Sequence, residues 1–134
     1  MQETTRLAGL IQERIDDTIS QHLSELETLG ADPEPLLAEA KAYLAGGKRM
    51  RAQFAMLGYQ AVRPLSLDSD PTGELGPVLD AACALELFHA AALIHDDVID
   101  RSDTRRGRPA AHRHFEELHR RERWRGDTEH FGVS

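Results

Sequence analysis

Residues 77–100, PVLDAACALELFHAAALIHDDVID, decide the fold. Proline is tolerated in a first helical turn, so Pro77 opens a helix that the run of alanines and leucines carries to about Asp100. Its apolar residues surround most of the circumference, which belongs to a helix in the centre of a bundle. The longest mostly apolar part, Ala81 to Ile94, is interrupted by Glu86 and His89 and reads as too short and too polar to span a bilayer.

The same period recurs upstream. Leu7, Leu10, Ile11, Ile15, Ile19, Leu23 and Leu26 follow at three- and four-residue steps, predicting an amphipathic helix over 5–29 that Thr4 or Thr5 caps and Gly30 ends. Asp32-Pro33 starts a second helix with the stripe Leu36, Leu37, Ala40, Tyr43 and Leu44, and Gly46-Gly47 stops it. A third helix is predicted from Lys48 to Val62, and residues 63–76 read as a loop. Downstream, Arg101 to Pro109 reads as a polar loop and Ala110 to Arg123 as a charged helix, with another helix beginning near Thr128. No strand pattern is found, so the fold class is all-α.

A chain of 134 residues is about the size of one small domain. Its net charge of −7 argues against a whole-surface nucleic-acid binder. The nine arginines of residues 101–125 have few interleaved aromatics, only Phe115 and Trp124, so no nucleic-acid partner is expected. The single cysteine, Cys83, cannot form an internal disulfide, and Glu3, Glu13, Asp16 and Asp17 do not suit a signal peptide; a cytoplasmic location is expected. His112, His114 and His119 lack the spacing of a zinc site and read as solvated.

The chemistry concentrates at the end of the apolar helix. Asp96 and Asp100 stack one turn apart with Asp97 beside them, and three such carboxylates repel one another unless a cation neutralises them. Oxygen ligands favour a hard ion such as Mg²⁺, which keeps waters and shares positions with phosphates. A solvated helix end is the alternative, but acids there oppose the helix dipole. Leu85, Phe88, His89 and Ala92 lie on the Asp96 face, so an apolar wall runs below the acids and suits an amphiphile with a phosphorylated head. Two cationic clusters complete the pattern. Gly46-Gly47-Lys48-Arg49-Met50-Arg51 puts two flexible residues ahead of three cations at the start of a helix, a place that favours anions; Arg105-Arg106-Gly107-Arg108 follows the acids by a short loop.

These stretches together resemble the trans-isoprenyl diphosphate synthases, or polyprenyl synthetases. GGKRMR resembles the family's GGKRxRP box, and LIHDDVIDRSDTRRGRPAAH its first aspartate-rich region, DDxxD followed by RRG. The resemblance implies an antiparallel helical bundle of the isoprenoid synthase type, of which residues 1–134 form the N-terminal portion of a single domain. It also implies a prenyltransferase condensing isopentenyl diphosphate with an allylic diphosphate. Asp96, Asp97 and Asp100 would hold Mg²⁺ on the allylic diphosphate, which Arg105 would contact. Lys48, Arg51, His89 and Arg106 would bind isopentenyl diphosphate, with Arg49 as a further contributor. A homodimer is the expected assembly.

In the family, product length follows side-chain bulk just upstream of DDxxD. Ala91 and Ala92 are small there, and Phe88 stands two turns back as a partial floor, implying a product of geranylgeranyl length or longer. Ala52 departs from the family's pattern, replacing its usual proline. The second aspartate-rich motif would be expected beyond Ser134, so the 134-residue chain alone is expected to be inactive or a fragment of a longer enzyme. A class I terpene cyclase is one alternative, although it needs no second diphosphate site. A non-catalytic helical subunit that pairs with another chain is the other.

Overall fold

A computed structural model describes residues 2–26, 28, 33–64 and 73–134. Among them, α1 (Gln2–Leu26), α2 (Glu34–Leu44), α3 (Met50–Val62) and α4 (Leu75–Ile99) are followed by a hairpin of β1 (Thr104–Arg105) and β2 (Arg108–Pro109), then α5 (Ala111–Glu122) and α6 (Thr128–Val133). The chain divides into two compact units, Met1–Phe88 and His89–Ser134.

The first unit is organised by the stripe on α1. Leu7, Ile11, Ile15 and Ile19 are all buried, each burial contributing roughly 1.5–3 kcal/mol. Leu44, Ala52, Met56, Leu75, Leu79, Ala82 and Cys83 supply the rest of this core from α2, α3 and α4. Arg14 on α1 reaches Asp80 on α4 at 2.6 Å. Burial pushes the Cys83 thiol up from its ordinary value, opposed by contact with the Thr18 hydroxyl, so Cys83 serves as a small core hydrophobe.

The helix boundaries differ from the sequence expectation in instructive ways. Thr4 and Thr5 lie inside α1, which begins at Gln2, so neither caps it. The stop at Gly30, the cap at Asp32 and most of the 63–76 loop fall outside the described residues. Helix α2 starts after Pro33 with no side-chain cap, and Leu36 of its expected stripe is exposed. Helix α3 starts two residues later than expected because Arg49 adopts a left-handed backbone.

Helix α4 starts at Leu75, two residues before the expected Pro77, and ends at Ile99. By length and composition it is the one helix among the described residues apolar enough to cross a membrane, with a mean hydropathy of 1.6 over 18 residues; this corrects the judgement drawn from Ala81 to Ile94 alone. Its charged residues argue for a bundle instead. Asp80 is paired with Arg14 and Glu86 with Arg49, arrangements that satisfy polar groups against neighbouring helices. Leu85, Phe88 and Ile99 remain exposed, so only part of its apolar circumference is covered.

In the second unit α4 ends without glycine. Arg101 is left-handed at φ 53°, the Arg101 amide donates to the Val98 carbonyl at 3.2 Å, and the Ser102 amide donates to the Asp97 carbonyl at 2.9 Å. These are the two bonds of a Schellman motif, which close off the last helical carbonyls. The segment expected to be a plain loop forms an antiparallel hairpin in which Thr104 pairs with Pro109 and Arg105 with Arg108. Arg106 and Gly107 turn it with φ of 51° and 77°, the two positive values that a two-residue type I′ turn requires.

Beyond the hairpin, Ala110, Ala111 and Leu118 are buried, and Glu116 is held between Arg113 at 2.7 Å and Arg120 at 2.9 Å. His112 and His119, expected to be solvated, are buried. The reason is α6. Its Thr128 hydroxyl meets His119 Nδ1 at 3.1 Å, Phe131 packs on the same ring at 5.2 Å, and Gly132 comes so close that a Cβ there would lie 2.5 Å from the His112 carbonyl oxygen.

Candidate functional site

In the first unit the candidate anion-binding residues sit in the turn joining α2 to α3. Gly46 and Gly47 take φ of 68° and 98° with open space around them, so the backbone angle rather than crowding demands glycine. Arg49 is left-handed as well, at φ 50°, a conformation that costs a non-glycine residue about 1–3 kcal/mol. Buried contacts hold it there. Its Nη1 donates to Glu86 Oε2 at 3.4 Å, and its Nη2 donates to Gln12 Oε1 and to the Leu44 carbonyl. Glu86 Oε1 also accepts the Ala52 amide at 3.2 Å, replacing the side-chain cap that α3 lacks. Gln53 Nε2 donates to the Lys48 carbonyl at 2.5 Å. Lys48 and Arg51 are left exposed.

The expectation that Arg49 binds a diphosphate therefore needs correction: only 7% of its surface is exposed, and its guanidinium faces protein. The left-handed backbone turns this cation inward while its neighbours stay in solvent.

In the second unit the three aspartates part company. Asp96 and Asp100 are exposed one turn apart, and neither carboxylate has a side-chain partner among the described residues. Asp97 is only 1% exposed. Both of its oxygens are gripped by Arg105, Nε to Oδ2 at 2.5 Å and Nη2 to Oδ1 at 2.7 Å, the forked geometry that makes arginine–carboxylate pairs strong. A helix turns by 100° per residue, so Asp97 points away from Asp96. It instead continues the buried stripe of Leu79, Ala82 and Glu86. Of the three carboxylates expected to act together, two stand in solvent and the third is paired within the protein by Arg105.

No group of three or more metal-ligating side chains is present among the described residues. The pair still suits magnesium, which typically takes one or two carboxylates and completes its shell with water and phosphate oxygens. Arg106 is exposed at the hairpin tip, and His89 is half-buried on α4 with an interaction of its own. Of the chain-length candidates, Phe88 is 75% exposed, Ala91 is exposed and Ala92 half-buried.

Three residues of this machinery escaped the sequence reading: Glu86, Gln12 and Gln53. Glu86 left a signal. An acid on the buried stripe of an apolar helix calls for a cationic partner, and Arg49 is that partner of Glu86.

The fold has a solved counterpart. The crystal structure of geranylgeranyl pyrophosphate synthase from Corynebacterium glutamicum, complexed with isoprenyl diphosphate and magnesium, matches 92% of this chain and 35% of its own at 42% identity and a TM-score of 0.67. The architecture is thus of the helical isoprenoid-synthase class. A family model described as polyprenyl synthetase matches residues 34–119, and the chain belongs to that family. A short chain isoprenyl diphosphate synthase of Methanothermobacter thermautotrophicus is 34% identical over 84% of this chain and 30% of its own. A geranylgeranyl diphosphate synthase of Methanosarcina mazei is 46% identical over 60% of this chain and 22% of its own. The chain thus spans less than a third of these two relatives.

Proposed function

We propose that this chain serves prenyl transfer, the condensation of isopentenyl diphosphate with an allylic diphosphate to a trans-polyprenyl diphosphate of geranylgeranyl length or longer. The observation that carries this reading is the exposed pair Asp96 and Asp100 at the end of α4, with Phe88 and Ala92 on the same face of that helix. The two carboxylates would hold magnesium, which when bound supplies Lewis-acid neutralisation of a departing diphosphate. The residues of the chain do the rest. In the first unit Lys48 and Arg51 present two cations to a diphosphate at the start of α3. In the second, Arg106 and His89 offer further donors, while Arg105 keeps the hairpin latched to α4 through Asp97 and leaves the other two acids free to bind ions.

Incubating the protein that carries this sequence with radiolabelled isopentenyl diphosphate, farnesyl diphosphate and magnesium should give a labelled prenyl diphosphate product. Absence of any magnesium-dependent incorporation overturns the reading. The pocket depth has its own test. Ala92 lies one turn before Asp96, and Ala92→Phe places an aromatic ring in the path of a growing chain, so the product distribution read by thin-layer chromatography should shift to shorter species. An unchanged distribution removes Ala92 from the length-setting wall.

A further inference from the structure

We propose that Glu86 is a positioning residue, holding the Lys48–Arg51 turn in the shape that presents its two cations to a diphosphate. The proposal rests on the reading of that turn as a diphosphate-binding element.

Three observations carry it. First, Glu86 is buried and divides its two oxygens between the Ala52 amide of α3 and the Arg49 guanidinium. The same guanidinium reaches Gln12 on α1 and the last carbonyl of α2. One carboxylate thereby fixes the exit from α2 and the entry into α3. Second, Arg49 is left-handed, and a non-glycine residue stays in that region only where its surroundings determine it. Third, the neighbours of Arg49 in the turn, Lys48 and Arg51, are exposed while Arg49 is not. A buried ion pair adds little stability over apolar replacements of similar volume. What Glu86 and Arg49 secure is a backbone shape, and that shape decides which cations face solvent. Cations held in place lose less freedom on meeting an anion, and a misplacement of about 1 Å costs up to a hundredfold.

The test compares Glu86→Gln and the double variant Arg49→Met/Glu86→Met, which removes both buried charges together and so keeps the fold if the single variant does not. Lys48→Ala is the reference. Binding of inorganic pyrophosphate without metal is measured by calorimetry at a temperature where circular dichroism shows each variant folded. Steady-state kinetics are measured on the protein that carries this sequence. The Glu86 variants should bind pyrophosphate about tenfold more weakly and raise KM for isopentenyl diphosphate by a similar factor, with kcat and KM for the allylic substrate within about twofold. If Lys48→Ala weakens pyrophosphate binding and the Glu86 variants do not, the positioning role is overturned and the diphosphate reading of the turn stands. If kcat falls with both KM values unchanged, Glu86 is merely structural and the proposal fails. If Lys48→Ala itself has no effect, the reading of the turn fails and takes the proposal with it.

Discussion

Asp97→Ala should destabilise the protein by about 2–3 kcal/mol, because removing one partner of a buried ion pair strands the other, an effect of roughly 3–5 kcal/mol when both are fully buried. Asp97 is 1% exposed, but the Arg105 side chain retains 28%, so water partly resolvates the abandoned guanidinium and the lower figure applies. The change is read as a lower urea midpoint at constant slope. Arg105→Ala strands the more deeply buried Asp97 carboxylate and should cost about 3–5 kcal/mol, and the double variant less than the sum, since each single change already breaks the same contact. Magnesium-dependent pyrophosphate binding should persist in Asp97→Asn wherever the protein remains folded. An unchanged midpoint together with lost binding would make Asp97 a metal ligand and end its assignment as a latch.

The reverse pattern is expected for its neighbours. Asp96→Asn and Asp100→Asn should each lower magnesium-dependent prenyl transfer by about a hundredfold or more, the scale on which losing one group that stabilises developing charge is felt. Neither should cost stability. Both carboxylates are exposed near the negative end of the α4 dipole, and neutralising either removes an unfavourable interaction of about 0.3–1 kcal/mol. Melting temperatures equal to or slightly above the parent, together with lost turnover, would separate these acids from Asp97 by measurement. Full activity in both amide variants would leave the carboxylate pair without its proposed role. The expected outcomes cross: loss of stability for one aspartate, loss of turnover for the other two.

Adjacent aspartates part in this way for a reason that lies in α4 as a whole. Their identity and spacing already marked the helix end, but Asp97 sits eleven residues after Glu86 on one stripe, whereas Asp96 shares its face with Phe88 and Ala92. Reading that stripe back fourteen residues from Asp97, to Cys83, would have placed Asp97 inside. The arginines were harder. Arg49, Arg101 and Arg106 all adopt positive φ, positions where glycine or asparagine is the usual mark, so nothing in their residue type announced a turn or an inward cation. The hairpin was equally hidden, since its two-residue strands are too short for an alternating pattern and Arg-Gly is not a strong turn pair.

Sequence alone determined that the chain is helical, because a stripe such as Leu7, Ile11, Ile15 and Ile19 is a local property of spacing and needs no partner to be recognised. It also placed the acids at a helix end and the cations at a helix start. Tertiary structure alone decided which of those charges meet solvent and which meet protein. Exposure depends on what packs against each face, through contacts between residues far apart in sequence such as Arg49 with Glu86, and through backbone angles that only those contacts can hold.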